Sequence, residues 1–118
     1  MAVTEAYISI TLPAATDLRT HQYKFVQVNA AGAVDLCADD AHADGVLLND
    51  PNTGEAAIVG IAGRLKVKCG AAVTCGGDVS SGPNGAAKNV DPGAAVNGTA
   101  LETGANGRVI SIIFHPRG

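Results

Sequence analysis

The sequence predicts an all-β single-domain protein, a small β-barrel or β-sandwich with a strand-like N-terminal arm, on three observations. Short alternating or wholly apolar runs recur along the chain, turn-forming residues separate them at close spacing, and nothing longer than one turn reads as helix. The 118 residues leave room for one core. Residues 1–22 are expected to form the arm and its connector, and residues 23–118 the barrel-like domain.

In the arm, Ala6, Ile8, Ile10 and Leu12 alternate with Tyr7, Ser9 and Thr11, the period-two pattern of a strand with one apolar face. Pro13 ends it, because proline lacks the ladder N–H. Residues 14–22 read as a connector carrying Asp17, Arg19, His21 and Gln22. From Tyr23 the run Lys24-Phe25-Val26-Gln27-Val28 and the later Val34-Asp35-Leu36 have the layout of a hairpin. Residues 38–44, which carry Asp39, Asp40, His42 and Asp44, are expected to form one helical turn stopped by Gly45.

Residues 46–48 and 56–61 follow as strands, with Gly63 breaking the second from the next. Arg64-Leu65-Lys66-Val67-Lys68-Cys69 alternates strictly, so that Arg64, Lys66 and Lys68 share one face and Leu65, Val67 and Cys69 the other. Such a cation row suits an acidic partner surface, a solvent-facing strand or a blunted sheet edge. Asn84-Gly85, Asp91-Pro92-Gly93, Asn97-Gly98 and Asn106-Gly107 are residue types that close tight turns. The last run, Val109-Ile110-Ser111-Ile112-Ile113-Phe114, is apolar on both faces, as in a central strand.

Composition narrows the function. The chain has 21 Ala against 26 Val, Ile and Leu together, with two Phe, two Tyr and no Trp. An interior this short of large apolar groups is expected to gain stability from oligomerisation or from docking on a partner. A net charge of -3 argues against a general nucleic-acid binder, and no stretch is long or apolar enough to read as an export signal or a membrane span. Three cysteines, Cys37, Cys69 and Cys75, fit neither a disulfide framework nor a zinc ribbon, although Cys69 and Cys75 flank a turn-like stretch that a bridge would span.

No phosphate loop, hydrolase elbow or zinc-protease spacing is present, so no catalytic residues, cofactor or metal site are expected. The acidic stretch around His42 reads as a solvated loop before it reads as a cation site. Lys88 invites comparison with the modified lysine of a carrier domain but lacks the neighbours of one, and Asn97-Gly98-Thr99 reads as a turn rather than a glycosylation site.

One stretch carries a more specific signal. Asp17-Leu18-Arg19, followed by Gln22-Tyr23-Lys24-Phe25-Val26, resembles the opening signature of the capsid decoration (cement) proteins of tailed bacteriophages. Gly45-Val46-Leu47-Leu48-Asn49-Asp50-Pro51, Gly54-Glu55-Ala56-Ala57 and Gly98-Thr99-Ala100-Leu101-Glu102 resemble the same family in the same order. The resemblance implies a virion protein, made in the host cytoplasm, on the outer surface of a phage head. It implies trimers bound to the major capsid protein that stabilise the head without catalysis, cofactor, nucleic acid or membrane.

The contact residues expected on this reading are Ala6, Ile8, Ile10 and Leu12 of the arm, Asp17, Arg19, Gln22 and Tyr23 of the connector, and Arg64, Lys66 and Lys68 of the cation row. The arm either adds as a strand to a capsid or neighbouring sheet or completes its own barrel. The alternative function is an accessory module on a virion that binds carbohydrate or a host surface. Aromatic rings, on which sugars stack, are few in this chain.

Overall fold

The computed structural model describes residues 7–117, and Ala6 of the expected contact set lies outside them. Among the described residues nine strands form one antiparallel sheet: β1 Tyr7–Pro13, β2 Phe25–Val28, β3 Val34–Leu36, β4 Gly45–Leu47, β5 Ala56–Lys68, β6 Asp78–Ser81, β7 Ala87–Asn89, β8 Val96–Ala100 and β9 Val109–Arg117. A single 3₁₀ turn, Pro83–Gly85, is the only helical element among the described residues. The all-β expectation is met.

The sheet order is β3-β2-β4-β5-β9-β8-β6-β7, with β1 also paired to β5. Both ends curl back. Just beyond β5, Cys69 bridges Ala87 of β7, and just beyond β1, Ala14 bridges Val34 of β3. The chain thus closes two loops of sheet that share β5, and each loop encloses its own apolar cluster. Ala14, Leu18, Val26, Val34, Leu47, Ala57 and Val59 fill the first. The second is larger and contains Phe25, Val46, Leu65, Val67, Val79, Ile110, Ile112 and Phe114. In it the rings of Phe25 and Phe114 pack at 6.3 Å between centroids, tilted by 35°.

The two clusters lie on opposite faces of β2 and β4, whose neighbouring residues Phe25 and Val26, and Val46 and Leu47, are divided between them. This is why these two short strands read as continuously apolar. β5 reaches both clusters by turning over. Against β1 its register slips between Ile8 and Ser9, where Ala62 and Gly60 are the successive partners and Ile61 is an extra residue. Such a β-bulge inverts the side-chain alternation. Ala57 and Val59 therefore face the first cluster, and Leu65 and Val67 face the second.

Several expectations change. Gly63, at φ 94°, does not break the strand; β5 runs unbroken for 13 residues, because glycine accepts the backbone angles beside the bulge. β5 is paired to β1 and β4 over its first half, and its cation row, residues 64–68, pairs along β9. Asn97-Gly98 is not a turn but part of β8. Fully buried, the Asn97 side chain accepts the Ala43 N–H at 3.0 Å and donates to the Ala41 carbonyl at 3.1 Å. Residues 38–44 form an irregular loop rather than a helical turn, with Asp40 left-handed at φ 61°. Asn84-Gly85 is a turn as expected, both residues having positive φ.

The N-terminal strand completes the chain's own sheet, paired to β5 from Tyr7 to Pro13.

The bulge leaves no room at Gly45, where an added Cβ would lie 2.5 Å from the Gly60 carbonyl oxygen and against Val59. Neither the backbone atom nor the packed valine can move aside cheaply. Gly45→Ala is expected to cost about 1–3 kcal/mol in denaturant unfolding. Gly77→Ala, which meets only one oxygen at 3.2 Å, is expected to cost less.

Candidate functional site

The connector is held by its backbone. Ala14 N–H donates to Glu55 O, Ala15 N–H to Val34 O and Leu18 N–H to Pro51 O, all at 2.8–2.9 Å, and the Leu18 side chain is fully buried. From that anchor the chain turns through His21, whose N–H donates to Leu18 O, and reaches Tyr23 between β4 and β5. Tyr23 N–H donates to Leu47 O, and Lys68 N–H donates to Tyr23 O, both at 2.7 Å. These bonds hold Tyr23 at φ 67°, a left-handed conformation that a bulky side chain rarely adopts.

Tyr23 lies between two open clefts. One, of about 180 Å³, is lined by Tyr7, Tyr23, Leu48, Arg64, Leu65 and Lys66. The other, of about 300 Å³, is lined by Arg19, Thr20, Gln22, Tyr23, Lys68, Gly107 and Val109. Two stretches forty residues apart in sequence, 19–23 and 64–68, are thereby brought together, so that Arg19, Gln22, Tyr23, Arg64, Lys66 and Lys68 of the expected set share one face. Gln22 is pinned by its Nε2, which donates to Leu48 O at 3.0 Å.

Asp17 and Arg19 pair side by side, Nε to Oδ1 at 2.9 Å and Nη2 to Oδ2 at 2.8 Å. The Arg19 guanidinium holds the Asp17 carboxyl down at about 2. The arm residues stand elsewhere. Ile8, Ile10 and Leu12 project from the opposite side of β1 to Tyr7. Leu12 packs against the first cluster, Ile10 is 40% exposed and Ile8 is 61% exposed, so the apolar stripe runs out into solvent towards the start of the strand.

Sequence reasoning missed two members of the face. Lys24 Nζ approaches His21 Nδ1 at 3.2 Å, and both sense the charge of Lys68. Burial first, and then the Lys24 charge, push the His21 pKa below the ordinary histidine value. Burial and Lys68 push Lys24 down as well. Five of the eight Lys and Arg residues, Arg19, Lys24, Arg64, Lys66 and Lys68, thus gather around Tyr23 in a chain of net charge -3. The only sequence signal for Lys24 was its place next to the hairpin.

The acidic loop has a different use from the one expected. Lys88 Nζ reaches Asp39 at 3.0 Å, Asp40 at 2.6 Å and Asp91 at 2.8 Å, with its own side chain 15% exposed. These three carboxylates raise the Lys88 pKa, so this is no ordinary exposed lysine. Asp44 accepts the Val28 N–H at 2.8 Å. His42 is exposed, and no group of His, Cys, Asp and Glu among the described residues is arranged to hold a metal ion. Cys37 and Cys69 are buried free thiols whose pKa burial raises, and Cys75 is an exposed free thiol.

No known family and no curated protein matches the chain. Among solved structures, the N base of head fiber gp8.5 in bacteriophage phi29 superposes with a TM-score of 0.73 at 20% identity. The match covers 93% of this chain and 95% of that one. The two share a fold.

The geometry at His21 sets a pH dependence. Nδ1 faces the Lys24 ammonium and must keep its lone pair, so protonation puts two cations in contact. With the folded-state pKa below the unfolded one, the unfolded chain binds the extra proton first, and stability falls as pH drops below the usual histidine range. Thermal melts of wild type and His21→Gln between pH 7.5 and about 5 are expected to show the steeper decline in wild type. Parallel curves would contradict this account of His21.

Proposed function

We propose that the chain is a structural protein of a phage virion that binds the outer surface of the major-capsid lattice and stabilises the assembled head without catalysis. The observation that carries this reading is the fold match over nearly the whole of both chains to a base segment of a phage head fiber. The resemblance of residues 15–26 to the decoration-protein signature points the same way. Contacts are made by Ala6, Ile8, Ile10 and Leu12, by Asp17, Arg19, Gln22 and Tyr23, and by Arg64, Lys66 and Lys68. Copies group as trimers on the shell, each contact raising the effective concentration for the next.

Cementing needs only selective binding. A protein that binds the assembled shell and not its dissociated subunits stabilises it by about 2.7 kcal/mol per site at a hundredfold excess over the dissociation constant. No reaction is required.

A second reading has one observation in its favour. Tyr7 and Tyr23 line the same cleft with Arg64 and Lys66, so half of the chain's four aromatic residues stand where an acidic sugar would stack. On that reading the protein is an accessory module displayed on a virion, binding a carbohydrate of the host surface.

The purified protein is expected to cosediment with undecorated heads at a saturable stoichiometry and to raise their melting temperature. Absence of both binding and a shift in the melt would overturn the capsid reading. Retention on an acidic glycan in that case would favour the second.

A further inference from the structure

Lys66 and Lys68 are exposed and make no ion pair among the described residues, whereas Lys88 is held by three carboxylates and Arg19 by one. Positive charge is therefore satisfied internally elsewhere and left outward-facing on β5 at Lys66 and Lys68, while Arg64 Nη2 donates to Ser111 Oγ at 3.5 Å. Arg64, Lys66 and Lys68 stand on alternate residues of one strand, about 6–7 Å apart. Lys24 adds charge beside Lys68. Across the strand pair, Val109 lies opposite Lys68 and Ile113 opposite Arg64, 43% and 44% exposed, giving the row an apolar shoulder.

An extended peptide repeats its side chains at the same spacing. A segment with carboxylates at alternate positions meets Lys66 and Lys68 one for one, its methylene stems lying on Val109 and Ile113. From this geometry we infer that the outer face of β5, with Tyr23 and Lys24 beside it, is a docking track for an extended acidic segment of another protein.

A second copy of this chain fits the track poorly, because its densest acidic cluster, Asp39, Asp40 and Asp91, is already occupied by Lys88. The capsid reading supplies the identity of the partner, the major capsid protein. The chemistry of the track stands on the geometry alone.

The test uses the full chain and a labelled peptide of alternating Glu and Ser, compared by fluorescence anisotropy with a peptide of the same composition whose glutamates form one block. The alternating peptide is expected to bind more tightly. Lys66→Glu with Lys68→Glu should weaken it by about tenfold or more. A control that lowers the net charge half as far, Ala31→Glu with Thr53→Glu in exposed turns, should leave binding within about twofold, since neither position lines the clefts beside the track. Because both peptides are compared on the wild-type chain, the test survives a variant that fails to fold.

Equal binding of the two peptides, or equally tight binding of a single-stranded oligonucleotide, would overturn the inference by showing a response to charge alone. So would wild-type oligomers that the Lys66→Glu, Lys68→Glu variant breaks apart with no peptide affinity in either. Heads that bind while neither peptide does would also overturn the track and leave the capsid reading standing. The alternating peptide binding as expected, with heads unbound, would support the track and remove the capsid as its partner.

Discussion

The fold depends on one extra residue. Without the bulge at Ile61, the side chains of β5 would keep a single alternation, and the strand would serve only one of the two apolar clusters. With it, Val59 pairs with Leu47 in the first cluster, while Leu65 reaches Gly60 and Val46 on the other face. Gly60 shows how tight this arrangement is, since a Cβ there would lie 2.5 Å from a Leu65 methyl carbon. Two small clusters on either side of a shared wall also explain how an alanine-rich chain with few aromatics forms a core. Short strands bury both faces, so few side chains are spent on solvent-facing positions.

The bulge also arranges the surface. By turning β5 over, it sends Lys66 and Lys68 outward on the same stretch of chain that buries Leu65 and Val67. Lys68 then bonds the backbone of Tyr23, and the connector is drawn alongside the cation row. Tyr23 is kept left-handed by bonds to two different strands, so its backbone strain is maintained by the fold around it. The backbone of this face is held by bonds within the chain, and a preorganised backbone lowers the entropic cost of any binding.

Much of this was legible in the sequence where periodicity speaks. The alternation of residues 64–69, the hairpin after Tyr23 and the apolar last strand each correspond to the strands observed. What periodicity could not reveal was the bulge, because a glycine reads equally as a break and as a permissive link, and Gly63 proved to be the latter. Asn97-Gly98 misled for a similar reason. The pair favours a turn locally, but a buried amide that satisfies both Ala41 and Ala43 outweighs that preference. Net charge hid the polarity of the molecule. A total of -3 argues against a general nucleic-acid binder and does not show how charge is distributed, yet three aspartates are folded onto Lys88 while the other lysines collect on one face.

The four lysines offer a direct reading of which face docks. Their acylation by a small amine-reactive reagent can be compared by mass spectrometry between the free protein and the protein bound to heads. The account predicts that Lys66 and Lys68 become protected on the shell, with Lys24 following them, while Lys88 keeps the low reactivity its three carboxylates impose in both states. Unchanged labelling of Lys66 and Lys68 on decorated heads would contradict it, and would place the docking surface on another side of the molecule.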